Sequence, residues 1–325
     1  MKICIFGGGS IGGLLAVHLK KIGLDISVIA RGQHLDAMIK NGITLINTVG
    51  KEETVVANCT DDPSSLGVQD YLFLTIKSPA LLPSLKNIEP LIGENTTIIT
   101  CMNGIPHWYF HKLSGQYTNY KIKCLDPDFL IDSIIPPNKI VGSVVYPACE
   151  IVGPGKIKHI NGNRFSLGEP DGSESDRLKF ISQIMKEAGF RAPMQKNIRD
   201  EIWLKLIGNL SFNPISALTG ATLEQICNDI GTEAIVREMM LEAKIIAEKL
   251  EAKINMSIEK RIEGARKVGA HKTSMLQDIE AGKPIEIDSI IVAVKELGEL
   301  TNSPTPYINT ILNLTLQKAK LIGCL

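Results

Sequence analysis

Lys2-Ile3-Cys4-Ile5-Phe6-Gly7-Gly8-Gly9-Ser10-Ile11-Gly12-Gly13 opens the chain, and its reading decides the fold. A short β-rich apolar run breaks into glycines and passes into the helical spacing of Leu14, Leu15, Val17 and Leu19. G-x-G-x-x-G with a strand before it and a helix after it is the phosphate turn of a dinucleotide-binding unit. Gly7 permits the tight turn, Gly9 lets a pyrophosphate approach the main chain, and Gly12 allows close helix packing. Gly8, Ser10 and Ile11 complete the turn, and the helix N-terminus aims N–H groups at the anion. A plain glycine-rich connection is the alternative. The next strand, residues 25–30, ends at Arg31-Gly32-Gln33-His34, where an NAD-preferring site usually carries an acid. An arginine pairs bidentately with a 2′-phosphate, so Arg31 favours NADP(H) unless it is simply a solvated charge at a strand end.

Outward from this unit, strand-like runs at 43–46, 54–58, 71–76 and 97–101, with a helical stretch at 81–91, predict an open, mainly parallel sheet. Runs at 140–146, 156–160 and 164–167, separated by Gly153-Pro154-Gly155 and Asn161-Gly162-Asn163, read as antiparallel strands that extend it. A helix at 175–188 and a short strand at 193–195 complete the half. Beyond Lys196 the pattern is helical, at 222–228, 232–250, 257–268, 287–300 and 307–319. The expected fold class is therefore α/β: a Rossmann-type domain over 1–196 followed by an all-α domain over 197–325.

Ligands of such sheets sit beyond the carboxyl ends of the strands, which brings Lys77 and Asn103 within reach of a nicotinamide or substrate. Asn103-Gly104 reads equally well as a turn. His107 and His111 stand i, i+4 on an expected helix, but the glutamate of H-E-x-x-H and a third ligand are missing, so no metal site is expected. Residues 115–137, with Pro127, Pro136 and Pro137, form a long excursion.

A length of 325 residues exceeds what one hydrophobic core usually organises and implies two domains. With 44% hydrophobic and 22% charged residues and zero formal net charge, the chain offers no broad basic surface. Neither nucleic acid nor a membrane is an expected partner. Seven scattered cysteines without a C-x-x-C pair read as reduced thiols of a cytosolic protein. The apolar start breaks too soon for a secretory signal, and no run approaches the ~18 apolar residues of a membrane span. The oligomeric state is left open, a homodimer included.

In the second half, residues 202–214 are apolar on nearly every side, yet Lys205, Asn209 and Asn213 recur every fourth residue. That spacing draws a narrow polar stripe along a helix otherwise suited to burial. A buried ammonium needs partners, so the stripe lines a polar cleft or meets a carboxylate, unless the lysine stem snorkels to solvent. A second polar group, Thr273-Ser274-Met275-Leu276-Gln277-Asp278, leads through Gly282-Lys283-Pro284 to Glu286-Ile287-Asp288.

The glycine turn, Lys77, Asn103-Gly104, Glu201-Ile202-Trp203-Leu204-Lys205-Leu206 with Asn209 and Asn213-Pro214, Ser274-Met275-Leu276-Gln277-Asp278 and Glu286-Ile287-Asp288 together resemble the ketopantoate reductase family. The similarity runs in order over most of the chain. It implies NADPH-dependent reduction of 2-dehydropantoate, a small 2-oxo acid, to pantoate in pantothenate synthesis. It further implies Lys205 as the general acid and Glu286 as the group holding the lysine and the substrate hydroxyl. Asn209, Asn213 and Ser274 would bind the substrate's polar groups, Asn103 would lie between nicotinamide and substrate, Arg31 would read the 2′-phosphate, and Lys77 would help at the cofactor. The excursion at 115–137 and the bulk of His107-Trp108-Tyr109-Phe110 depart from compact relatives and leave another branched 2-oxo acid open as substrate. An NADP(H)-binding sensor without turnover is the alternative of a different class.

If Arg31 reads the 2′-phosphate, Arg31→Ala should raise Kd for NADPH while sparing NADH, measured by fluorescence titration of both. An unchanged NADPH/NADH preference would remove the residue from that role.

Overall fold

Ile3–Phe6 (β1) is buried along its whole length, as expected of a strand covered on both faces. The structure is a computed structural model describing residues 1–325. It resolves into two units: one comprises Met1–Met102, Trp108–Lys121 and Asp128–Ile198, the other Asn103–His107, Ile122–Pro127 and Arg199–Leu325. Two short segments that precede residue 197 thus belong with the helices.

In the first unit β1 is followed by β2 (Ile26–Ile29), β3 (Ile43–Ile46), β4 (Glu52–Val55), β5 (Asn58–Thr60), β6 (Tyr71–Leu74), β7 (Thr97–Thr100), β8 (Ile140–Val145), β9 (Ala148–Gly153), β10 (Lys156–Asn161) and β11 (Phe165–Gly168). The main sheet has seven strands in the order β11-β8-β7-β6-β1-β2-β5. All its pairings are parallel except that of β11 with β8. The chain leaves β1 towards β2 on one side and later returns to β6 on the other, so the first turn sits where the strand order reverses, the usual ligand position of such sheets.

The expected extension by antiparallel strands holds only in part. Ile140–Val145 joins the sheet in parallel and Phe165–Gly168 in antiparallel sense, but Lys156–Asn161 leaves it. It pairs instead with β3 and β9 in a separate four-stranded sheet, order β4-β3-β10-β9. Side-chain alternation explains the difference. Lys156 and Lys158 are exposed while Ile157 between them is buried, and β4 alternates likewise, so neither strand suits a position covered on both faces. Ile157 turns instead onto the first helix (Ser10–Lys21), where a Cβ at Gly13 would lie 2.4 Å from its Cδ1.

Residues 107–111 do not form the expected helix. They are turns, with the His111 N–H donating to Trp108 O at 2.9 Å and that of Leu113 to Phe110 O at 3.2 Å. Trp108, Tyr109 and Phe110 are all buried, and successive helical side chains, 100° apart, could not all be buried on one face. No group of three or more His, Cys, Asp or Glu is placed to hold a metal ion. The seven cysteines are free, and burial pushes the Cys4 thiol up to about 12 and that of Cys59 to about 11.

The second unit is built on Ile198–Thr219, Leu223–Asn228, Ile230–Lys249, Ile258–Val268, Ser274–Glu280, Ala293–Leu300 and Pro306–Ile322. Local chemistry sets several of their starts: Thr222 and Gln225 form a capping box, and Ser257 and Thr273 accept N–H bonds as N-caps. No helix is long and apolar enough to cross a membrane. The excursion is anchored here by Glu296, whose carboxylate accepts from the N–H groups of Lys123 and Cys124 at 2.8 and 2.9 Å.

A Cβ at Gly12 would lie 2.0 Å from the Gly7 carbonyl oxygen and 2.8 Å from Thr75 Oγ1. Gly12→Ala should therefore force turn and helix apart at a cost of about 1–3 kcal/mol, the range of overpacking. A thermal midpoint equal to that of the wild type would contradict this close approach.

Candidate active site

The helix Ile198–Thr219 carries the polar stripe on an otherwise apolar surface. Ile202, Trp203, Leu206, Ile207 and Leu210 are buried, Lys205 and Asn209 are half-buried, and Asn213 is buried. The lysine does not simply run out to solvent. Its Nζ donates to Asn103 Oδ1 at 2.6 Å, and Asn103 Nδ2 donates to Glu286 Oε2 at 2.9 Å. An ammonium only donates and a carboxylate only accepts, so the neighbours dictate the amide's orientation, oxygen to the lysine and nitrogen to the glutamate. Glu286 is buried, and through Asn103 its negative charge is linked to the positive charge that balances it.

The turn after β7 is held where the amide is needed. The Ile105 N–H donates to Ser289 O at 2.8 Å, and Gly104, at φ +86°, lies so close that a Cβ would come within 2.3 Å of the same oxygen. Ser289 belongs to a π-helical turn, Asp288–Val292, just beyond Glu286. Such widened turns occur mostly as single-turn insertions, frequently at functional sites. Asn103-Gly104 thus bends the chain and also sets a side-chain amide between Lys205 and Glu286. Ser274 is exposed at the start of Ser274–Glu280, following its N-cap Thr273.

In the first unit, Gly7, Lys77 and Arg31 follow β1, β6 and β2, three adjacent parallel strands, at their carboxyl ends. The helix beginning at Ser10 has no side-chain cap and no acid in its first turn, and a Cβ at Gly9 would meet nothing within 4 Å. Gly8 and Ile11 lie in the same turn. Unopposed N–H groups behind an open backbone suit a bound phosphate. Arg31, exposed, stands at the N-cap of Gly32–Asn41, whose N-terminus likewise lacks a side-chain cap and a first-turn acid, and Lys77 is exposed. These residues fit a dinucleotide.

Sequence reasoning missed His34. Its Nδ1 accepts from the Gly155 N–H at 3.0 Å, so Nε2 carries the proton and donates to the Gly8 carbonyl at 2.8 Å, tying the glycine turn to the β9–β10 hairpin. Thr75 donates to Gly7 O at 2.7 Å from the other side. Neither residue has a spacing signature that marks it.

Comparison with known proteins agrees over both units. The family model described as Ketopantoate reductase PanE/ApbA matches residues 3–172, and that for the family's C-terminal part matches 197–319. A Mesorhizobium japonicum protein named 2-dehydropantoate 2-reductase is 48% identical over 325 residues, covering 100% of this chain and 99% of its own. A crystal structure from Ralstonia solanacearum MolK2 superposes with a TM-score of 0.94 at 39% identity, covering 99% of each chain. D-mandelate dehydrogenase, solved with NADH and anilino(oxo)acetate, superposes at 0.85 with 21% identity over 100% of both chains, a likeness of fold.

Because Asn103 joins Lys205 to Glu286, Asn103→Ala and Glu286→Gln should not add. A double-mutant cycle in denaturant should give a coupling of about 0.5–3 kcal/mol, the range for residues sharing one network. Strict additivity would mean that the bridge does not operate in solution.

Proposed function

Since the chain belongs to the ketopantoate reductase family, we propose that it reduces 2-dehydropantoate to pantoate with NADPH, within pantothenate synthesis. The observation that carries the proposal is the Lys205–Asn103–Glu286 bridge, a proton donor and a buried carboxylate held by one amide. Bound NADPH supplies the hydride for the C2 carbonyl carbon. As negative charge gathers on the carbonyl oxygen, the Lys205 ammonium stabilises it and then donates its proton from Nζ, so the product leaves as the alcohol. Asn103 keeps the ammonium directed, and Glu286 accepts from the substrate hydroxyl. Asn209 and Asn213, one and two turns along the helix, and Ser274 offer further hydrogen bonds to the substrate's polar groups.

The glycine turn of Gly7, Gly8, Gly9, Ser10, Ile11 and Gly12 would hold the pyrophosphate, with Lys77 at the neighbouring strand end. The preference for NADP(H) rests on Arg31, a guanidinium beside an uncapped helix N-terminus, where a 2′-phosphate finds both a bidentate cation and free N–H groups. Seven free cysteines suit a cytosolic enzyme. Reduction of another branched 2-oxo acid is the second reading, since Lys205 held by Asn103 serves the carbonyl that all such acids share. A sensor that only binds NADP(H) would have no use for an ammonium and a carboxylate joined in this way.

Purified protein should oxidise NADPH when given ketopantoate, and Lys205→Ala should lower kcat by about 10²–10⁴, the usual contribution of a positioned acid. The kcat/KM for ketopantoate beside smaller and larger 2-oxo acids decides between the two substrate readings. Turnover of another acid with none of ketopantoate would overturn the first.

A further inference from the structure

Between Lys205 and Asn209, helix Ile198–Thr219 carries Gly208, a poor residue for a helix interior and one that calls for a reason. The space its side chain would fill is already taken. A Cβ at Gly208 would lie 2.0 Å from Arg261 Nη2, 2.6 Å from Cζ and 2.8 Å from Nε, so the guanidinium of helix Ile258–Val268 rests on the bare backbone. Residues three apart on a helix are surface neighbours, with Cβ positions about 5–6 Å apart. The glycine therefore admits a second, permanent cation within one turn of Lys205, alongside the polar stripe. Arg261 is half-buried there.

We propose that Arg261 is a specificity-determining residue that binds the carboxylate of the 2-oxo acid while Lys205 faces the adjacent carbonyl oxygen. A 2-oxo acid carries these two oxygen groups on neighbouring carbons, and a guanidinium seated on Gly208, three residues along the helix from Lys205, offers the carboxylate a cation distinct from the lysine. The planar fork of arginine accepts a carboxylate bidentately, which an ammonium cannot do. Five N–H donors let the guanidinium hold a substrate while keeping protein partners. The inference rests on the 2-oxo acid reductase reading and deepens it: this site selects an anion and discriminates against a neutral carbonyl compound of the same shape.

The test compares Arg261→Ala, Arg261→Lys and Gly208→Ala with the wild type, using ketopantoate and the neutral amide of the same 2-oxo acid. Losing one hydrogen bond to a charged group corresponds to about a ten- to hundredfold effect. Arg261→Ala should raise KM for the acid by that factor, change kcat little, and leave kcat/KM for the amide as it was. Arg261→Lys should recover part of the loss, added guanidinium ion should restore part of it to Arg261→Ala, and Gly208→Ala should imitate the loss by displacing the guanidinium. An unchanged KM in both Arg261→Ala and Gly208→Ala, or equal losses on acid and amide, would overturn the proposal, the second outcome assigning Arg261 a purely structural part. Should the wild type reduce a different 2-oxo acid, the same comparison is made with that acid and its amide. Should it reduce none, the parent reading fails by itself, and calorimetric titration of ketopantoate into wild type and Arg261→Ala decides the inference: a tenfold or greater weakening supports it, equal Kd values overturn it.

Discussion

A buried carboxylate and a half-buried ammonium are both costly, and in the helical unit a single side-chain amide offsets part of the cost for each. Asn103 accepts from Lys205 and donates to Glu286. Neither an apolar residue nor a second charged one could serve, because the position needs one acceptor and one donor at once. Partial satisfaction of such a network would be worse than an apolar core, since each unpaired group retains its desolvation penalty. Much of the surrounding architecture can be understood as keeping that amide in place.

The means are backbone contacts. Asn103–His107 comes from the sheet-forming half of the chain but packs among the helices. Ile105 donates to Ser289, the close contact at Gly104 leaves no room for a side chain, and the π-helical turn at Asp288–Val292 presents the accepting carbonyl a few residues after Glu286. The amide and the carboxylate it serves are therefore positioned by one backbone contact, between Gly104-Ile105 and Ser289. Glu296, in the helix that follows, performs a similar task for Lys123 and Cys124. Two carboxylates on one stretch of chain thus hold two excursions from the first half, one by way of a side-chain amide and one by way of main-chain N–H groups.

A different economy governs the glycine turn. Thr75 and His34 bond the carbonyls of Gly7 and Gly8, leaving the N–H groups of the following helix unopposed and the space above Gly9 open. The Gly7 and Gly8 N–H groups bond the Ile29 carbonyl, so it is the first N–H groups of the helix that stay available to an anion.

The sequence by itself determined the parts that depend on neighbours along the chain. The glycine turn is local because strand, tight turn and helix are consecutive, and the stripe of Lys205, Asn209 and Asn213 is local because helical periodicity alone aligns it. The helices of the second half follow from spacing and caps, and the ketopantoate reductase resemblance was carried by short motifs that survive without coordinates. Tertiary structure decided what depends on residues distant in sequence. It sent Lys156–Asn161 to a second sheet, since pairing partners are chosen by which face is to be buried. It denied a helix to residues 107–111, where three adjacent aromatics are buried together. It also made Asn103 the link between Lys205 and Glu286, and set Arg261 on Gly208, because no periodicity encodes a hydrogen bond or a close approach across so many intervening residues.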